Sequence, residues 1–205
     1  MLCFFITPPF FFIFFCFSIF PLAAGANTKD YKHKIIEMKK LILSIAIMLL
    51  CSTAMAQNAK LPSNVTIKTL DGKTVETSII QNDGKPIIIS FWATWCKPCN
   101  RELNAIAEVY EEWQSETGVK LVAVSIDDTK SASKVKPHVE GNGWEYEVYL
   151  DQNQDFKRAM NVVNVPHTFL INGEGEIVWQ HTSYVDGSEE ELFELVKKVA
   201  NGEEL

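Results

Sequence analysis

From residue 57 onward this 205-residue chain is short of cysteine, of paired histidine and of basic charge. Five cysteines are present, Cys3, Cys16, Cys51, Cys96 and Cys99, and the first three fall in apolar N-terminal stretches. The remainder therefore holds one cysteine pair, whereas a thiol-zinc site draws four ligands from Cys and His. His138, His167 and His181 stand singly, without the paired spacing of a zinc finger, so metal binding is the minor reading and no metal site is expected. The chain has 19 basic and 26 acidic residues, of which five Lys and two acids precede residue 57, leaving 14 against 24 and a formal charge of −10. That balance argues against nucleic acid and anionic lipid as partners, although an acidic surface often serves only solubility. After residue 56 there is neither an internal repeat nor a low-complexity tract.

Long apolar runs are confined to the N-terminus. Residues 2–24 are almost wholly apolar, and nine of the thirteen Phe lie within the first twenty positions. A polar stretch follows, and then MKKLILSIAIMLLCSTAMAQ, which has the parts of a secretory signal. Lys39 and Lys40 follow Met38, an apolar run extends from Leu41 to Leu50, and Ala54-Met55-Ala56 forms a small-x-small cleavage site. The expected organisation is an upstream extension at 1–37, a signal peptide at 38–56 and a folded domain at 57–205. The rival organisation starts at Met1 and takes 2–24 as a membrane span, long enough at ~20 apolar residues. The lysines between 29 and 40 would then hold the linker in the cytoplasm, and 38–56 would act as a membrane anchor. Both deliver the domain to the same side. Leu50 before Cys51 disfavours a lipid anchor, since a small residue normally stands there.

About 150 residues remain from Gln57, enough for one domain with a substantial core. Val65 to Leu70 and Thr74 to Thr77 flank Asp71-Gly72, which predicts a short hairpin. Pro86 precedes Ile87-Ile88-Ile89-Ser90-Phe91-Trp92, a run suited to a strand buried on both faces. After Cys99, Leu103, Ile106, Ala107, Tyr110 and Trp113 recur at helical spacing, and Gly118 supplies the stop. Val119 to Ile126 reads as a second buried strand, Ser131 to about Val139 as a helix, Tyr146 to Leu150 as a strand and Asp155 to Met160 as a short helix. Val165 to Asn172 and Glu176 to Gln180, joined by Gly173-Glu174-Gly175, read as an antiparallel hairpin. Ser188 with Glu191 has the capping-box spacing and opens a final helix to about Ala200. This order of elements predicts an α/β sandwich built on one mixed sheet.

The chemistry centres on Cys96 and Cys99. A Cys-x-x-Cys can be a metal site, a structural staple or a redox couple. A staple stabilises mainly by closing a long loop in the unfolded chain, and this pair closes almost none. The strand-to-helix junction places Cys96 at a helix N-terminus, where unpaired N–H groups and the positive end of the dipole favour a thiolate. Such cysteines titrate at about 3.5–7.5, against about 8.5 for a free thiol. Lys97 adds a positive charge, or is simply a solvated lysine. Cys99 falls on the same face as Leu103, Ile106 and Tyr110, which makes it the buried partner. A redox cycle then runs through attack by Cys96, a mixed disulfide, and resolution by Cys99. Pro98 suits the first helical turn, where its missing N–H costs nothing.

FWATWCKPC after a buried strand, then VPHTFLIN beginning at Val165 and GEGEIV beyond it, resembles the thioredoxin-fold superfamily, in particular its exported TlpA- and ResA-like thiol-disulfide oxidoreductases. The resemblance spans roughly Leu61 to the C-terminus. It implies a thioredoxin-like fold, a redox disulfide between Cys96 and Cys99, and no cofactor beyond the two sulfurs. It implies that Trp95 flanks the reactive sulfur, although Trp95 and Trp92 could equally be core aromatics, and that Pro166 occupies the cis-proline position. Thioredoxin itself carries a buried acid six residues before its first cysteine, where this chain has Ser90. TlpA- and ResA-like proteins carry a glutamate at the position of Glu102, which makes Glu102 the candidate acid or base for Cys99; the alternative is a solvent-facing helix glutamate. His167, beside Pro166, reads as structural or substrate-contacting rather than catalytic.

The expected function is an exported thiol-disulfide oxidoreductase, a reductase of protein disulfides in the bacterial periplasm, with a membrane electron donor and a substrate such as apocytochrome c. Two other classes stay open. A peroxiredoxin-like peroxidase places a threonine three positions before its cysteine, where this chain has Ala93 and Thr94 is one position too close. A non-enzymatic binding or chaperone module would have little use for both cysteines together with Pro166.

Overall fold

A computed structural model describes residues 33–44 and 59–205. The chain divides into two units, residues 1–56 and 57–205. In the first, residues 33–44 are helical, and Lys40 pairs with Glu37 at 2.8 Å on the exposed surface. The apolar stretch 2–24 and the cleavage site at Ala54–Ala56 lie outside the described residues. Among the described residues no helix is long and apolar enough to cross a membrane.

The second unit is a seven-stranded mixed sheet with helices packed against it. Its strands are β1 (Thr66–Thr69), β2 (Thr74–Glu76), β3 (Ile87–Trp92), β4 (Lys120–Ser125), β5 (Glu147–Leu150), β6 (His167–Ile171) and β7 (Ile177–Thr182). Its helices are α1 (Lys97–Thr117), α2 (Val135–Asn142), α3 (Asp155–Ala159) and α4 (Ser188–Ala200). The sheet order is β2-β1-β5-β4-β3-β6-β7. β3 runs parallel to β4 and antiparallel to β6, while β5 runs parallel to β4. Every residue of β3 is buried, as the unbroken apolar run requires of a central strand covered on both faces.

Gly72, at φ +82°, makes the turn of the β1–β2 hairpin. The sequence shows the hairpin but not its place: β1 also pairs antiparallel with β5 and so extends the main sheet.

In α1, Cys99, Glu102, Leu103, Ile106, Tyr110 and Trp113 form the buried stripe, and Gly118 ends the helix at φ +68°. Trp113 stacks on Phe193 of α4 with ring centroids 4.7 Å apart, which locks the two helices together.

Two elements differ from expectation. The helix predicted from Ser131 begins instead with a 3-10 turn at Ala132–Lys134, and α2 proper starts at Val135. The cause is Asp128, whose carboxylate accepts bonds from the Lys130 and Ser131 N–H groups and the Ser131 hydroxyl, holding that stretch in a turn. The capping box at Ser188 does not form. Ser188 is already helical and its hydroxyl donates back to the Val185 carbonyl, while Glu189 accepts from the Gly187 N–H at 3.1 Å. Ser188 lies one residue inside the helix, so its side chain cannot reach the N–H groups that an N-cap serves.

Candidate functional site

The candidate site forms where β3 ends and α1 begins. Cys96 caps α1 from an extended backbone (φ −87°, ψ 97°), and its sulfur accepts the Cys99 N–H at 3.3 Å. Pro98 sits in the first turn. The two sulfurs are bonded at 2.02 Å with the Cα atoms 5.3 Å apart, so the pair stands in its oxidised form. Cys99 is fully buried and Cys96 is 4% exposed. Trp95 is 66% exposed beside Cys96, whereas Trp92 is fully buried, so of the two tryptophans only Trp92 is a core residue. Lys97 is exposed.

The loop entering α1 is tied down by groups that sequence reasoning missed. Asp127, fully buried just beyond β4, accepts from the Thr94 N–H at 2.8 Å, the Thr94 hydroxyl at 2.7 Å and the Ser125 hydroxyl at 2.8 Å. Asn100 donates to the Cys96 carbonyl at 2.8 Å and meets His138 Nε2 at 2.6 Å through its own carbonyl oxygen. Asn100 Nδ2 is already a donor, so Oδ1 faces the ring and His138 donates. A signal for Asp127 was available in its position, because the carboxyl ends of parallel strands are where α/β folds build sites.

Pro166 is buried next to β6, and the Val165–Pro166 peptide bond is cis. Phe91 of β3 is in register with His167 of β6, which brings Pro166 level with Trp92, at the end of the strand that leads to the cysteines. The Ser183 N–H donates to the Pro166 carbonyl at 3.0 Å and ties the end of β7 to the same corner. His167 stacks on Phe169 at 4.3 Å, and its Nε2 meets the Gln180 side-chain oxygen at 3.1 Å. Burial holds the imidazole below its ordinary pKa, so it is neutral with the proton on Nε2, and the buried Nδ1 keeps an unpartnered lone pair.

Glu102 lies one helical turn beyond Cys99 and is 6% exposed. The Thr168 hydroxyl donates to Oε1 at 2.6 Å and the Ser90 hydroxyl to Oε2 at 3.1 Å. Burial pushes the carboxyl up to about 7, against the downward pull of those two hydrogen bonds. Ser90, where thioredoxin has its acid, is thus a direct partner of Glu102. A buried carboxyl that titrates near neutrality, one turn from a cysteine, can take or return a proton near pH 7.

Among the described residues no group of three or more His, Cys, Asp or Glu is arranged to hold a metal ion.

Comparison with known proteins agrees with this geometry. Residues 54–180 match the AhpC/TSA family. The thiol-disulfide oxidoreductase ResA of Bacillus thuringiensis (strain Al Hakam) is 32% identical over 143 residues, covering 70% of this chain and 79% of the relative. The sporulation thiol-disulfide oxidoreductase A of Bacillus subtilis is 28% identical over 149 residues, covering 68% and 88%. The solution structure of a thioredoxin-like protein from Porphyromonas gingivalis is 56% identical with a TM-score of 0.62, covering 71% of this chain and 95% of that one. From its matched sequence, its mixed sheet and its Cys96–Cys99 disulfide, the chain belongs to the AhpC/TSA family, has the thioredoxin fold and is a thiol-disulfide oxidoreductase.

Proposed function

We propose that this enzyme works as a reductase of protein disulfides in an exported compartment. Cys96 attacks the substrate disulfide and Cys99 resolves the mixed disulfide. Glu102 takes the Cys99 proton, while Trp95, Pro98 and Pro166 shape the surface around Cys96. In the resolving step the Cys99 sulfur bonds to Cys96, the bond from Cys96 to the substrate breaks, and the electron pair leaves on the substrate sulfur, which takes a proton from solvent. Recharging the pair needs two electrons and two protons from a dithiol donor, assigned here to a membrane partner because exported compartments are oxidising.

The observation that carries the direction is the burial of Glu102 one turn from Cys99. Strong oxidants of this fold owe their potential to a stabilised reduced form. A buried carboxyl beside the thiols opposes a thiolate and so favours electron donation. The test is the equilibrium potential of the Cys96–Cys99 couple against glutathione or thioredoxin standards. A value near about −270 mV is expected, and one near about −120 mV would reverse the direction.

Export rests on the signal-like segment at 38–56, with 57–205 as the mature domain and 1–37 as an upstream extension. The substrate proposed is an exported protein disulfide such as that of apocytochrome c. Thr94 has its hydroxyl committed to Asp127, which counts against a peroxidase reading that would set a threonine hydroxyl beside the reactive sulfur.

A further inference from the structure

Glu102 lines a cavity of about 20 Å³ to which neither Cys96 nor Cys99 contributes. A single water needs roughly 10–15 Å³ on that measure. Glu102, Ile106 and Leu192 close its inner end and are buried, while His181 and Ser183 at the other end are exposed. Glu189 lines the same cavity. Its carboxylate is held in place by the Tyr184 hydroxyl, which donates at 2.7 Å, and by the Gly187 N–H at 3.1 Å. Glu102 and Glu189 thus both line one water-sized space that has buried residues at one end and exposed residues at the other.

We propose that Glu189 is a positioning residue for the redox reaction, acting across this cavity to set when Glu102 gives up its proton. The inference rests on the reading of Glu102 as the acid and base for Cys99. The cavity has room for one water, which in this proposal would bridge Glu102 and Glu189 and pass a proton toward His181 and Ser183 at the surface. The remaining groups around Glu102 leave Glu189 as the carboxylate that acts on it. Ser90 of β3 and Thr168 of β6 bring neutral hydroxyls, and Cys99 on α1 is bonded to Cys96 and carries no charge in the oxidised protein. Tyr146, before β5, donates to the Leu103 carbonyl at 3.2 Å, and burial together with the Glu102 charge raises it far above the ordinary phenol value, so it stays neutral. Tyr184 is likewise raised by burial and its bond to Glu189. His181 stands at the exposed mouth, and Arg101 is occupied by Asp186 at 2.9 Å. Burial is the main cause that keeps Glu102 protonated, the Thr168 and Ser90 hydroxyls oppose it, and the like charge of Glu189 adds a smaller push in the same direction as burial.

The test uses the oxidised full chain labelled with ¹³C at the glutamate carboxyls, with Glu102→Gln identifying the Glu102 signal. The Glu102 midpoint is followed by NMR in the wild type, in Glu189→Gln, which keeps an acceptor for Tyr184 and Gly187, and in Tyr184→Phe, which removes the donor that holds Glu189. The proposal expects the midpoint to move down in Glu189→Gln, and in Tyr184→Phe by a smaller shift. The pH–rate profile of disulfide exchange should move with it. A midpoint unmoved in both variants overturns the proposal. A rate profile indifferent to Glu102→Gln sinks the acid–base reading instead, and that failure shows in kinetics rather than in the carboxyl titration.

Discussion

A methyl group at Gly173 would stand 2.0 Å from the Gly84 carbonyl oxygen and 2.6 Å from its carbon. Backbone faces backbone there, so no side chain can give way. Gly173→Ala should therefore destabilise the fold by about 1–3 kcal/mol through overpacking. Urea unfolding checks it, and a midpoint equal to wild type would show that the two turns part without cost. Glu102 yields a second prediction. Its carboxyl titrates at about 7 in the fold and near 4.5 when the chain is unfolded. Between those values the folded state binds more protons, so the stabilising contribution is full below about 4.5 and is lost as pH rises through about 7. A shift of that size corresponds to roughly 3 kcal/mol. Wild type should therefore lose stability relative to Glu102→Gln across that window. A difference between the two proteins that stays constant from pH 4.5 to 8 would remove the buried-acid account. Of these two residues the sequence showed a turn glycine and a candidate acid. It did not show the Gly84 backbone or the Ser90 and Thr168 hydroxyls, which come from strands and turns far away in the chain.

At the scale of elements, the junction between β3 and α1 is held from the side by β4. Asp127 follows β4 and binds both the N–H and the hydroxyl of Thr94, fixing the loop that presents Cys96. Asp127→Ala leaves the buried Ser125 hydroxyl and the Thr94 N–H without their acceptor. The expected cost is about 1–3 kcal/mol, together with slower reduction of insulin. Calorimetric stability and turnover indistinguishable from wild type would mean that the loop needs no such tie. The apolar run of β3 and the stripe of α1 were legible because each follows from its own residues, through burial on both faces and through helical spacing. The start of α2 differs from expectation because the Asp128 carboxylate and carbonyl hold Lys130, Ser131 and Ala132 in a turn that continues as a 3-10 turn before the helix proper, a local arrangement that helical spacing does not show. The cap of α4 was misjudged for a related reason: Glu189 serves the Gly187 N–H and Tyr184 at once, and Tyr184 is a partner that a capping-box pattern does not include.

For the whole molecule, the questions are what Cys96 attacks and where the protein resides. A Cys99→Ser variant keeps the attacking sulfur and removes the resolving one. It should accumulate a mixed disulfide with the physiological partner at Cys96, to be identified by mass spectrometry after non-reducing separation. If the variant turns over peroxide while capturing no protein, the reductase reading falls. Export at the proposed site predicts a mature N-terminus at Gln57. N-terminal sequencing that finds a start before Met38 would replace the signal peptide with the membrane-anchored alternative. Exposed ion pairs such as Lys136–Asp71 at 2.7 Å bear little on either question, since solvent screens them.

The sequence by itself determined the redox chemistry, because two cysteines three residues apart at a strand-to-helix junction are a local arrangement, and local geometry is written in neighbouring residues. It also determined the order of strands and helices, which follows from periodicity and turn residues. Only the tertiary structure decided the acidity of Glu102. A helix glutamate becomes a buried acid when β3 and β6 meet above it and exclude water, and Ser90 and Thr168 stand 12 and 66 residues away in the chain. The same holds for the tie from Asp127 to Thr94, 33 residues apart, and for the place of the β1–β2 hairpin at the edge of β5. Contacts of that separation depend on how the whole sheet closes, and a residue's immediate neighbours carry no record of them.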